Sequence, residues 1–111
     1  RRELAKVYLE GLKDLDMILP TRSGERDHVF HLFVVRSKGR DELTKKLWNQ
    51  RIETVIHYPI PPFDQPALID IISGGFDLSQ KIHSEVFSLP ISPVMGKKKV
   101  SDVIHTIKSS I

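Results

Sequence analysis

The chain has 111 residues, of which 40% are hydrophobic and 28% charged, a size and composition suited to one modest domain around one core. It has no cysteine, which excludes disulfides, thiolate catalysis and cysteine-type zinc sites and fits a reducing cytoplasm. The formal net charge of +3 is spread along the chain apart from Lys97-Lys98-Lys99, which argues against a nucleic-acid partner, and no apolar run has the length needed to cross a membrane.

Leu4, Ala5, Tyr8, Leu9 and Leu12 mark one face of a helix over residues 1–13. No Ser, Thr, Asp or Asn stands ahead of it to cap it, and Arg1 and Arg2 occupy the end where the helix dipole disfavours cations. With no initiating Met, the expectation is a chain cut from something longer, the missing part preceding residue 1. Met17, Ile18 and Leu19 suggest a short extended segment, and Thr21 to Asp27 a polar surface loop containing Gly24. Residues His28 to Arg36 form the strongest predicted strand, with apolar residues on both faces. His28 and His31 are three apart, so on a strand they point to opposite faces and cannot jointly hold a metal; both read as structural.

A helix is predicted over Asp41 to Asn49, with Asp41 and Glu42 in its first turn and Lys45 and Lys46 towards its end. Leu43, Leu47 and Trp48 make its expected buried stripe. Ile52 to Ile56 then completes a strand-helix-strand unit. Pro66 is placed to open a helical turn. Ser73-Gly74-Gly75 reads as a flexible break without a phosphate-cradle pattern. Asp77 or Ser79 is expected to cap a helix reaching Phe87, carrying a His83 with no visible partner. Ser88 to Pro93 suggests an edge strand. The last helix spans Lys97 to Ser109, with Val100, Val103, Ile104, Ile107 and Ile111 as its apolar stripe and the three lysines as a solvated end.

The candidate site lies at Thr54-Val55-Ile56-His57-Tyr58, followed by Pro59, Pro61 and Pro62. A β-branched run delivers His57 and Tyr58 to a strand end, and the prolines stop further pairing and stiffen the exit. Two hydrogen-bonding side chains with apolar bodies, held at an edge, suit a polar ring such as a sugar. The competing reading is a buried strand end under a proline-rich loop. No Ser-His-Asp order, carboxylate pair or metal-ligand spacing is evident. The residues unaided therefore predict an α/β domain with an edge site at His57 and Tyr58.

Four stretches in order carry a likeness: His28 to Arg36; Arg40-Asp41-Glu42-Leu43 through Leu47 with Arg51 to Thr54; Ile56-His57-Tyr58-Pro59-Ile60-Pro61-Pro62 with Gln65-Pro66-Ala67; and Glu85 to Pro93. Together they resemble the C-terminal part of the DegT/StrS-type sugar aminotransferases, fold-type-I enzymes dependent on pyridoxal phosphate. The resemblance implies a single small C-terminal domain over residues 1–111, a short few-stranded sheet packed with about four helices, the large cofactor-binding domain being absent from this chain. It implies a full-length enzyme that transfers an amino group, usually from glutamate, to the keto sugar of a nucleotide-sugar. The His-Tyr-Pro-Ile-Pro-Pro form points to a dTDP-3-oxo-6-deoxyhexose, in a pathway to cell-surface polysaccharide or lipopolysaccharide.

The resemblance also implies a cytoplasmic homodimer with sites completed across its interface. His57 and Tyr58 would bind substrate by lining the sugar pocket. The imine-forming lysine, the partner of the pyridine nitrogen and most phosphate contacts would lie in the large domain, so no catalytic, cofactor-binding or metal-binding residue is expected here and the fragment alone should be inactive. Phe63 and Leu68 depart from the family's frequent His and Tyr, and Lys97, Lys98 and Lys99 replace its usual acidic helix start. The reading set against it is a free-standing, non-enzymatic α/β module that binds a small polar ligand or regulates, using the same His-Tyr edge.

Overall fold

The computed structural model describes residues 1–24, 26–71 and 74–111. The expected loop at Thr21–Asp27 and the expected break at Ser73–Gly75 both run into positions outside that set. Four α-helices and two strands follow one another as α1 (Arg2–Leu12), β1 (Phe33–Arg36), α2 (Arg40–Asn49), α3 (Asp77–Glu85), β2 (Val86–Leu89) and α4 (Lys97–Ser110), with a short 3-10 turn at Pro62–Asp64. This is the small α/β domain the resemblance implied.

Helix α1 buries Leu4, Ala5, Tyr8 and Leu12, and α4 buries Val100, Val103, Ile104 and Ile107, each set recurring at the three- and four-residue spacing of a helix face. The two faces meet closely at Gly11, where a built Cβ would lie 2.6 Å from Ile104 Cδ1. A side chain at position 11 would therefore displace the Ile104 side chain or push α4 away. Phe30, Phe33, Val35, Phe87 and Leu89 complete the same core from the sheet side.

The strands β1 and β2 pair antiparallel, Phe33 opposite Leu89 and Arg36 opposite Val86. Single-residue bridges extend the sheet on both sides, Ile18 to Arg36 and Val55 to Ser88. The segment around Ser88 is thus interior, and every residue of β2 is buried.

Several expectations change, among them the edge strand expected over Ser88–Pro93, where the interior strand β2 ends at Leu89 instead, and Ile111, expected in the apolar stripe of α4, which is exposed. The strand expected over His28–Arg36 begins at Phe33. The His28 ring accepts the Phe30 amide at Nδ1 (2.9 Å) and stacks on the Phe30 ring, and Phe30 takes a left-handed φ of 52°. This local side chain–backbone bond diverts the chain from extended pairing.

The strand expected over Ile52–Ile56 reduces to the bridge at Val55. Before it, α2 ends with Arg51 at φ 63°, the Arg51 amide bonded to the Trp48 carbonyl and the Ile52 amide to the Leu47 carbonyl. That is a Schellman termination with a non-glycine residue in the left-handed position.

Trp48 is 65% exposed rather than buried. Leu43 and Leu47 lie one turn apart and set the buried face of α2, from which Trp48 is rotated by about 100°. Finally, α3 stops at Glu85, and Val86 and Phe87 belong to an interior strand. Val86 and Phe87 fit the pleated, buried surface better than a further helical turn, and Pro90 ends the strand.

Candidate functional site

The Val55–Ser88 bridge fixes where the proline-rich segment leaves the sheet: the Ser88 amide donates to the Val55 carbonyl at 2.7 Å, and the Val55 amide to the Ser88 carbonyl at 3.3 Å. Two residues on, His57 sits half-buried with Nδ1 2.9 Å from the Ser88 hydroxyl. Tyr58 stands beside it, ring edge to face at 5.5 Å between centroids, and is 69% exposed. The peptide between them is cis. The structure therefore brings His57 and Tyr58 together at the sheet edge, one braced and one presented to solvent.

The exit beyond them is folded, not a free tail. Pro61 is buried, the Gln65 side chain donates to the Ile60 carbonyl at 3.1 Å, and Phe63 stacks on Phe76 at 4.5 Å. The stack joins the proline-rich stretch to the start of α3.

In the sequence His83 has no visible partner. In the fold its Nδ1 lies 2.9 Å from the Tyr58 carbonyl. The carbonyl is an acceptor alone, so the ring nitrogen donates. Around this contact, Glu85 is buried and accepts from Arg36 at 2.9 Å and 3.2 Å. The Arg40 guanidinium donates to the His83 carbonyl at 2.6 Å. Ser88 likewise reads in the sequence as a strand residue, with nothing local to mark it as the partner of His57. A polar residue in an otherwise apolar strand was the signal that could have singled it out.

Chemically, the pair offers an imidazole and a phenol for hydrogen bonding to an oxygen-rich ligand and an aromatic face for its apolar side. Lys97, Lys98 and Lys99 are exposed in the first turn of α4, with Lys97 Nζ 4.0 Å from Glu3. No helix among the described residues is long and apolar enough to cross a membrane.

Comparison with known proteins defines the class. The fold is that of aminotransferases: S. venezuelae DesV, solved in complex with a ketimine intermediate, superposes with a TM-score of 0.88 at 35% identity, covering 98% of this chain and 30% of DesV. The NtdA protein of Bacillus subtilis, solved with bound cofactor PMP, matches with a TM-score of 0.80 at 30% identity over 97% of this chain and 28% of its own. In sequence, the dTDP-3-amino-3,6-dideoxy-alpha-D-galactopyranose transaminase of Aneurinibacillus thermoaerophilus is 48% identical over 107 residues, 96% of this chain and 30% of that enzyme. Residues 1–108 match the DegT/DnrJ/EryC1/StrS aminotransferase family, and the chain belongs to it. It spans about 30% of the length of the relatives it matches.

Proposed function

We propose that this chain is the C-terminal, sugar-orienting part of a pyridoxal-phosphate-dependent aminotransferase. The whole protein transfers an amino group from glutamate to the keto carbon of a dTDP-3-oxo-6-deoxyhexose. It acts in the cytoplasm as a homodimer that serves cell-surface polysaccharide or lipopolysaccharide synthesis. The observation that carries this reading is the 48% identity, across nearly the whole chain, to a transaminase named for a dTDP-3-amino-3,6-dideoxyhexose.

In this reading His57 and Tyr58 bind the sugar. Their pairing at the edge supports it, since an imidazole already held on Ser88 and an exposed phenol beside it can both hydrogen-bond sugar oxygens. The residues present do not fit the cofactor. An imine-forming lysine works in an enclosed, partly desolvated site, and all ten lysines of this chain are exposed. The cofactor, when bound, supplies the electron sink for amino transfer; its lysine and most of its phosphate contacts belong to the part of the protein outside this chain. The role left to these residues is to bind and orient the sugar.

The test is amino transfer by the full-length protein from 15N-glutamate to a dTDP-3-oxo-6-deoxyhexose, read by mass spectrometry of the sugar nucleotide. The expected result is a product carrying the label. An unlabelled sugar recovered in the presence of pyridoxal phosphate would refute the reading. So would transfer by residues 1–111 alone, because the reactive amine is placed elsewhere.

A further inference from the structure

We propose that Ser88 and His83 are positioning residues: Ser88 holds His57 in the tautomer that presents Nε2–H as a hydrogen-bond donor to an oxygen of the sugar, and His83, in the opposite tautomer, holds the Tyr58 backbone beside it. This rests on the sugar-binding reading of His57 and Tyr58 and goes beyond it by fixing which atom does the binding.

The Ser88 side chain is buried, 7% exposed, and among the described residues its hydroxyl meets one partner, His57 Nδ1 at 2.9 Å. If Nδ1 carried a proton, the hydroxyl would accept and its own hydrogen would be left unpaired in a buried place. That arrangement forfeits a donor's hydrogen bond, a loss larger than the net worth of most hydrogen bonds. The hydroxyl therefore donates, Nδ1 accepts, and the ring proton of neutral His57 sits on Nε2. No buried side-chain nitrogen or oxygen lacks a partner among the described residues. Nε2 of half-buried His57 has no partner among the described residues, so it is not one of these buried atoms and touches solvent, where a ligand oxygen can accept from it.

His83 is held the other way. Its Nδ1 faces the Tyr58 carbonyl at 2.9 Å, so the proton is on Nδ1. One continuous element, α3 into β2, thus grips both members of the pair, Tyr58 by its backbone and His57 by its ring. The element is itself fixed between the two contacts: Arg36 pairs with Glu85, and Arg40 donates to the His83 carbonyl.

The test uses the full-length protein with 15N-labelled histidine, read by long-range nitrogen–proton spectra near pH 8.5, above the ordinary imidazole range of about 6.5. The expected spectrum has His57 protonated at Nε2 and His83 protonated at Nδ1. In Ser88→Ala the His57 signals should move to a tautomer mixture while His83 stays unchanged. The KM for a dTDP-3-oxo-6-deoxyhexose should rise roughly fivefold to tenfold, the worth of one lost orienting hydrogen bond, with cofactor absorbance intact. Ser88→Thr, which keeps the hydroxyl, should return both readouts towards the parent. His83→Asn, which keeps a donor for the Tyr58 carbonyl, should bind sugar better than His83→Ala. A parent His57 protonated at Nδ1, or a Ser88→Ala variant with unchanged tautomer and KM, overturns the proposal. His57→Ala separates the two failures. An unchanged KM there removes the sugar-binding reading and this proposal with it, whereas a raised KM beside a tautomer indifferent to Ser88 removes this proposal alone.

Discussion

Tyr8 shows how one side chain can join distant parts of the chain. Its ring is fully buried in the α1–α4 core, and its hydroxyl donates to the Pro90 carbonyl at 2.7 Å, tying α1 to the end of β2. Burial disfavours the phenolate and pushes the hydroxyl well above the ordinary tyrosine range. Because the folded value is raised, the stability this group contributes is fully present below the unfolded value of about 10 and is lost as pH climbs from there towards the folded value. Urea unfolding at pH 8 and pH 11 should therefore show a drop in stability that Tyr8→Phe lessens. At pH 8 the same variant should be less stable by about 1 kcal/mol, the net value of one hydrogen bond.

At this scale much escaped the sequence. Tyr8 was read as a core residue from its spacing, but its partner is 82 positions away and has no local signature. His83 and Ser88 acquire their roles through Tyr58 and His57, contacts that exist once α3 and β2 are placed. Trp48, expected in the buried stripe with Leu43 and Leu47, lies outside it because the helical phase turns it to solvent.

The helices were legible because their apolar residues repeat with the helical period, so α1, α2 and α4 fall within a residue or so of their expected limits. The strands were less so. Runs rich in Val, Ile and Phe look alike whether they pair, turn or cross. Thus the run from His28 turns at Phe30, the run from Ile52 pairs at a single residue, and the interior strand lies where a helix was expected to continue.

Two predictions belong to these elements. Arg51 closes α2 in a left-handed conformation that costs an L-residue about 1–2 kcal/mol and glycine nothing comparable. Allowing for glycine's greater unfolded-state entropy, about 0.5–1 kcal/mol, Arg51→Gly should stabilise the domain by roughly 0.5–1 kcal/mol in chemical denaturation. Gly11→Leu should do the reverse. It drives a side chain into Ile104 at the closest approach of α1 and α4, at a cost of about 2 kcal/mol. A variant as stable as the parent would show that the two helices are not packed through that glycine.

For the whole molecule, what the residues unaided supplied was a general α/β domain with an edge site; the order of four stretches supplied the family, and residues 1–108 match it. The class of chemistry is not legible in this chain's own groups, which are a sheet edge with one braced and one exposed side chain and lysines that are all exposed. The proposed function stands on a division of labour, with the sugar grasped here and the reacting nitrogen held elsewhere. It is tested most directly by steady-state kinetics of His57→Ala in the full-length protein, followed with the cofactor's absorbance. The account predicts a KM for the keto-sugar nucleotide raised by roughly tenfold or more, as expected for the loss of a hydrogen bond to the ligand, with the cofactor band unchanged. A parent-like KM, or loss of the cofactor band with sugar affinity preserved, would contradict it.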